Sequence, residues 1–204
     1  MRRGDLAIDK TYEIEPDLVV LDVMLPGTDG FDICRELRAR GATLPIMILT
    51  ARDEDFDRVV GLELGADEFI PKPVQPRVLL AHIRAMLRRA GMGERTAGGG
   101  TGDTVVFGRL EIDAASREVR LAGRPVDLTS SEFDLLWLLA SNAGKVMLRD
   151  EILRSLRGLH YNGADRSVDA RLYRLRRRFA DEKEAAWKIK TVRPHGYMFC
   201  QEPW

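Results

Sequence analysis

Apolar residues follow two different rhythms along this chain. Up to about residue 90, short continuous apolar runs alternate with amphipathic stretches. Leu18-Val19-Val20-Leu21, Ile46-Met47-Ile48-Leu49 and the shorter Phe69-Ile70 read as buried strands. Between them the 3.6-residue period predicts helices over about 4–14, 30–40 (Phe31, Ile33, Cys34, Leu37), 54–64 (Val59, Val60, Leu62) and 76–89 (Leu79, Ile83, Met86). Strands that are apolar on both faces and alternate with helices imply parallel pairing through right-handed crossovers. From about residue 104 the rhythm shortens. Strands are expected at 105–107, 110–113, 118–121 and 125–127, with Gly108 and Ala122-Gly123 supplying turns, hence an antiparallel meander. Thr129-Ser130-Ser131-Glu132 is a capping box that opens a helix, and Asn142-Ala143-Gly144 closes it. Helices over 149–155 and 165–180 follow, then two strands, 187–192 and 196–200, joined by Arg193-Pro194-His195 as a hairpin.

Residues 90–103, with Gly98-Gly99-Gly100, hold almost no apolar content and read as a flexible linker. The expected organisation is therefore an α/β domain over 1–89, a linker over 90–103 and an α+β domain over 104–204. The net charge of zero conceals an asymmetry. Residues 1–103 carry 14 Lys/Arg and 18 Asp/Glu, net −4, which leaves 18 and 14, net +4, for residues 104–204. An acidic half followed by a basic half suits a signalling domain followed by a nucleic-acid binder. No apolar run approaches the roughly 20 residues of a spanning helix, and the start, Met1-Arg2-Arg3-Gly4-Asp5, lacks the hydrophobic stretch of a secretory signal. A cytoplasmic, non-membrane protein is expected, with Cys34 and Cys200 as unpaired thiols.

Three polar residues stand at the ends of the three apolar runs: Asp22, Thr50 and Lys72. In an open parallel sheet such ends converge on one crevice. A carboxylate, a hydroxyl and an ammonium placed there can hold one phosphoryl group: Asp22 as acceptor, Lys72 to offset the added charge and Thr50 to donate a hydrogen bond. The Lys72-Pro73 bond permits a cis peptide, and Phe69 reads either as an aromatic whose rotation follows Thr50 or as an ordinary core aromatic. An aspartyl-phosphate phosphatase would need a second acid two residues after Asp22, where Met24 stands, so no enzyme is expected. In the basic half, Val168, Leu172, Leu175 and Phe179 form one apolar stripe, while Arg171, Arg174 and Arg178 share another helical face. With the hairpin carrying Lys188, Lys190 and Arg193, this predicts a helix in the major groove and a wing along the backbone or in the minor groove. Arg166, Ser167, Arg171 and Arg174 are the groove and phosphate candidates, with Thr191 for phosphate and Arg193 for the minor groove.

These motifs carry a family resemblance. The stretch from Pro16 through Asp22-Val23-Met24-Leu25-Pro26-Gly27-Thr28-Asp29-Gly30, with Leu49-Thr50-Ala51-Arg52, Gly65-Ala66-Asp67-Glu68-Phe69 and Lys72-Pro73, resembles the CheY-like, doubly wound receiver domain of OmpR/PhoB-type response regulators. Val168-Asp169, Arg174-Leu175-Arg176 and Thr191-Val192-Arg193 with Gly196-Tyr197 resemble the winged helix-turn-helix domain of the same family, and residues 156–167 look most like its RstA subgroup. The resemblance implies phosphorylation of Asp22 by a sensor histidine kinase with Mg2+, a relay through Thr50 and Phe69, and binding to double-stranded DNA. It also implies homodimerisation on activation and RNA polymerase as a further partner. Arg58, Glu63, Asp67, Arg84 and Arg89 match the charged positions of the family's dimer face, whereas Val78 and His82 depart from it. The chain is expected to be N-terminally truncated relative to the family, lacking the first β-α-β of the receiver. The acidic pair that joins Asp22 around Mg2+ would be absent with it. The alternative reading is a phosphorylation-independent DNA-binding regulator with a degenerate receiver.

Overall fold

The computed structural model describes residues 3–24, 29–51, 61, 64–91, 104–157, 167–179 and 188–204. Two compact units divide at Arg95/Thr96. The first contains α1 (Arg3–Ile14), β1 (Val19–Asp22), α2 (Gly30–Ala39), β2 (Ile46–Thr50), β3 (Glu68–Pro71) and α3 (Pro76–Arg89). Its sheet has the order β1-β2-β3, all parallel, with Asp22 opposite Leu49 and Thr50 opposite Pro71. The period of two along β2 sorts its side chains between two cores. Ile46 and Ile48 join Ile8, Leu21, Ile33, Leu37 and Phe69 on the face covered by α1 and α2. Met47 joins Ile70 and Met86 on the α3 face. This is the two-sided burial that continuous apolar runs require. Among the described residues β1 is an edge strand, and Val20 is 40% exposed.

Local chemistry sets the ends of these elements. Asp29 caps α2, its carboxylate accepting the Phe31 N–H at 2.9 Å, and Pro76 opens α3 at a position where a missing N–H costs nothing. A buried ion pair fastens α2 to the sheet. Arg38 donates to the carbonyls of Gly65, Ala42 and Leu44 and to Asp67 Oδ2 at 2.7 Å, and Asp67 also accepts the Ile46 N–H. The helix expected over 54–64 falls largely outside the described residues, as do residues 92–103 of the expected linker.

The second unit opens with the expected antiparallel meander, β4 (Thr104–Phe107), β5 (Leu110–Asp113), β6 (Glu118–Leu121) and β7 (Arg124–Pro125). Three helices follow: α4 (Ser130–Ser141), α5 (Arg149–Arg157) and α6 (Ser167–Arg178). A second sheet has the order β8-β10-β9, made of β8 (Val146–Leu148), β9 (Ile189–Val192) and β10 (Gly196–Phe199). Strand β8 was not expected. At three residues, with Val146 and Leu148 both over 40% exposed, it has no amphipathic signature of its own and exists through its pairing with β10. Both halves of the Thr129/Glu132 capping box are present. One core unites the layers, with Leu135, Leu136 and Leu139 of α4, Leu172 and Leu175 of α6, and Ile189 and Phe199 of the second sheet.

Candidate functional site

Parallel pairing brings the three strand-end residues side by side. Asp22 ends β1, Thr50 ends β2, and Lys72 directly follows β3, its N–H donating to the Thr50 carbonyl at 2.6 Å. The Lys72 ammonium donates to Asp22 Oδ2, and the Met24 N–H donates to Oδ1 at 3.0 Å. Hydrogen bonding to Lys72, then to the Met24 amide, holds the Asp22 carboxyl below its ordinary value. The Asp22 side chain remains a third exposed, so one edge of the carboxylate is open to a reactant. The Lys72–Pro73 peptide is cis.

Thr50 and Phe69 lie behind this surface. Thr50 is fully buried and Phe69 is 5% exposed. The Phe69 ring stacks on Phe31, with centroids 6.4 Å apart and planes at 11°. Gly61 closes over both rings: a Cβ there would stand 2.8 Å from Phe31 Cε1 and 3.1 Å from Phe69 Cδ2.

Among the described residues no group of three or more His, Cys, Asp or Glu side chains is arranged to hold a metal ion. Receiver domains as a family use Mg2+, an ion held by one or two carboxylates plus phosphate and water. Here Asp22 supplies one carboxylate, and Lys72 already engages it. The described residues do not by themselves form an Mg2+ site.

Of the expected dimer face, Asp67, Arg84 and Arg89 lie among the described residues. Arg84 is exposed on α3, and Arg89 donates to the Ala85 carbonyl with Glu68 3.7 Å away. Arg58 and Glu63 lie outside the described residues. Asp67 has to be withdrawn: it is 5% exposed and committed to Arg38 and the Ile46 amide, so its charge points into its own unit.

The basic helix also differs from expectation. Arg171, read as presenting its guanidinium to solvent, is 1% exposed. The Arg174 side chain is 13% exposed, its Nε 3.7 Å from Glu132 Oε1, and Arg178 Nε donates to Glu132 Oε2 at 3.1 Å. Arg174 and Arg178 are drawn inward because the buried Glu132 carboxylate on α4 faces them. Asp169, Tyr173 and Arg177, at spacings of four, form the exposed stripe instead, with Tyr173 62% exposed. Arg166 lies outside the described residues, and Ser167 is the first residue of α6. On the hairpin, Thr191 and Arg193 are exposed as expected.

Sequence reasoning missed the groups that hold the hairpin. Arg176 donates from Nε to the Ile189 carbonyl at 3.2 Å and from a terminal nitrogen to Thr191 Oγ1 at 3.0 Å. Arg149, at the start of α5, donates to Asp169 Oδ1 at 3.0 Å, and to the Pro194 carbonyl and the Tyr197 hydroxyl at 3.3 Å each. The Tyr197 hydroxyl donates to the same Asp169 oxygen. Burial, then the bond to Asp169, pushes the Tyr197 phenol up to about 12. No sequence spacing signals these long-range pairs.

The comparisons with known proteins agree with this architecture. Residues 1–84 match the response regulator receiver domain, and residues 123–199 match the C-terminal domain of transcriptional regulatory proteins. The chain is 44% identical over 209 residues to the transcriptional regulatory protein RstA of Escherichia coli, covering 99% of this chain and 86% of that protein. It is 47% identical over 194 residues to AfsQ1 of Streptomyces coelicolor, covering 95% and 83%. Among solved structures, a RitR mutant matches with a TM-score of 0.65 and 26% identity, over 96% of this chain and 84% of that one. Among the described residues no helix is long and apolar enough to cross a membrane. The chain belongs to the OmpR/PhoB-type two-component response regulators, non-enzymatic transcriptional regulators that join a receiver domain to a winged-helix DNA-binding domain.

Proposed function

We propose that a sensor histidine kinase transfers a phosphoryl group to Asp22 in the cytoplasm, and that this transfer controls how the second unit binds double-stranded DNA. The observation that carries the proposal is the convergence of Asp22, Thr50 and Lys72 at the ends of three adjacent parallel strands. An Asp22 oxygen attacks phosphorus while the N–P bond of a phosphohistidine breaks. The imidazole nitrogen leaves with the bonding pair, and the product is an acyl phosphate. Lys72, already beside the carboxylate, offsets the incoming charge. Thr50 is the hydroxyl one strand away, and Phe69 behind it is the ring that must repack if Thr50 turns.

On the DNA side, α6 enters the major groove, Arg166 and Ser167 make the base contacts, and the β9–β10 hairpin brings Thr191 to phosphate and Arg193 to the minor groove. Arg171 and Arg174 support the helix from within and are not groove contacts. Activated chains pair through the face of β3 and α3, where Arg84 is exposed and Arg89 stands beside Glu68. RNA polymerase is the further partner of such a regulator.

A second reading is favoured by one observation, the engagement of the Asp22 carboxylate by Lys72. In it the first unit takes no phosphate and the second binds DNA constitutively. Acetyl phosphate with Mg2+, read by intact mass and by DNA affinity, separates the two. The expected result is one phosphoryl group per chain, none in Asp22→Asn, and a change in DNA affinity. No uptake with unchanged DNA binding selects the second reading.

A further inference from the structure

We propose that Arg149 is a positioning residue for DNA recognition, locking the tip of the β9–β10 hairpin to α6 so that Arg193 meets DNA in a fixed relation to the groove helix. The proposal deepens the DNA-binding reading above and rests on it for its consequence at DNA. Its structural premise stands on free-protein geometry alone.

The guanidinium of Arg149 serves three elements at once. It donates to Asp169 on α6, to the carbonyl of Pro194 at the hairpin turn and to the hydroxyl of Tyr197 on β10. Its Cζ also lies 4.8 Å from the centre of the Tyr197 ring. Tyr197 returns a hydrogen bond to Asp169, closing a triangle of carboxylate, phenol and guanidinium. The residue next to Pro194 is Arg193, an exposed cation on a turn that extends beyond the second sheet. Pairing with β8 and β9 ends at Gly196, so the turn of residues 193–195 projects beyond the sheet with no core of its own and its direction depends on side-chain tethers. Arg176 fixes β9 at the Ile189 and Thr191 end. Arg149 fixes the turn.

The same contact has an electrostatic effect. Asp169 lies on the exposed stripe of α6, where its negative charge would oppose phosphate. Pairing with Arg149 offsets it. A planar guanidinium can serve a carboxylate, a carbonyl and a hydroxyl together while lying over a ring. An ammonium can match the charge but not this geometry. Arg149 therefore acts by shape as well as by sign.

The test is a double-mutant cycle on the full chain, using a duplex selected from random sequence by the wild-type protein. Arg149→Lys and Arg193→Ala are measured singly and together. The Arg149 side chain is a third exposed, so the lysine variant is expected to fold, which circular dichroism checks. Each single variant should lose about tenfold in affinity, and the double variant no more than the worse single, because a misplaced Arg193 has nothing left to lose. Losses that multiply would show two independent contacts and overturn the proposal, as would wild-type affinity in Arg149→Lys. Hydrogen exchange on the free chain supplies a readout that needs no DNA. In Arg149→Lys, amides of the β9–β10 hairpin should exchange faster while those of α4 are unchanged. An unaltered hairpin overturns the proposal even if no duplex is selected, whereas faster hairpin exchange without any selected duplex means that the DNA reading alone has failed.

Discussion

Glu132 offers the sharpest test of how the second unit is held together. Its carboxylate is 1% exposed, accepts the Thr129 N–H at 2.9 Å and the Arg178 Nε–H at 3.1 Å, and forms an ion pair with Arg174 Nε at 3.7 Å. Glu132→Ala removes the reciprocal half of a capping box, costing about 1 kcal/mol. It also leaves two guanidiniums without their shared counter-charge. Breaking a buried pair costs about 3–5 kcal/mol. The Arg178 side chain is 31% exposed and can turn towards water, so the lower part of that range applies. The sum is about 4 kcal/mol, a large share of the 5–15 kcal/mol that stabilises a typical domain. Glu132→Gln keeps an acceptor for Thr129 and should lose about 2 kcal/mol. All three tryptophans, Trp137, Trp187 and Trp204, belong to the second half of the sequence, so tryptophan fluorescence isolates its unfolding from that of the first unit. With a urea dependence near 1 kcal/mol per molar, the midpoint should fall by about 4 M in Glu132→Ala and about 2 M in Glu132→Gln. A shift below about 0.5 M in the alanine variant would refute the claim that Glu132 anchors α6.

Other consequences can be measured separately. Asp67→Ala should destabilise the first unit by about 3 kcal/mol through the stranded Arg38, read by calorimetry. If Asp67 instead served a dimer face, the loss would appear in self-association with the monomer's melting unchanged. The Asp22 carboxyl is held below its ordinary value of 3.8, so its contribution to stability is full above that value and is lost as pH falls through the lowered one. The gap in urea midpoint between wild type and Asp22→Asn should therefore differ between pH 7 and pH 3, and a gap independent of pH would contradict the pairing with Lys72. Tyr197, raised to about 12, contributes stability that is complete below about pH 10, the usual phenol value, and is lost as pH rises towards 12. Ultraviolet titration of Tyr197→Phe should lack the phenolate component that appears near pH 12 in the wild type. An unchanged curve would place that titration elsewhere.

Much of this architecture was legible because local pattern and tertiary burial agree. The runs at 18–21 and 46–49 are apolar at every position, and β2 is buried on both faces. The capping box names its own partners, three residues apart. Strand-end chemistry was legible for a related reason: parallel pairing leaves Asp22, Thr50 and Lys72 little choice but to converge. What escaped the sequence were pairings across long separations. The spacing of Arg171, Arg174 and Arg178 correctly places them on one helical face, but periodicity cannot say which way that face points. The deciding carboxylate lies 46 residues before Arg178, and its motif already assigned it another role. Asp67 was misread likewise, since Arg38 stands 29 residues upstream in a different element.

The geometry of the first unit also bears on what phosphorylation would have to overcome. In this structure Lys72 already neutralises Asp22, so its pull towards a phosphoryl group is a transfer from one anion to another and not a new attraction. The energetic gain from Lys72 is correspondingly smaller than for a lysine that starts free in solvent. Behind the site, Thr50 is fully buried and Phe69 is pressed between Phe31 and the bare backbone of Gly61. A ring held at this packing density does not rotate without displacing its neighbours, and rearranged cores commonly cost about 1–3 kcal/mol. On the proposed function, the phosphoryl group would meet that cost through hydrogen bonds that exist only after transfer, such as one to Thr50. Enlarging Gly61 to alanine would tighten the same packing. On this reasoning it should weaken the response of DNA binding to phosphodonor while leaving phosphoryl uptake at Asp22 intact. An equal loss of both would mean that Gly61 serves the fold alone.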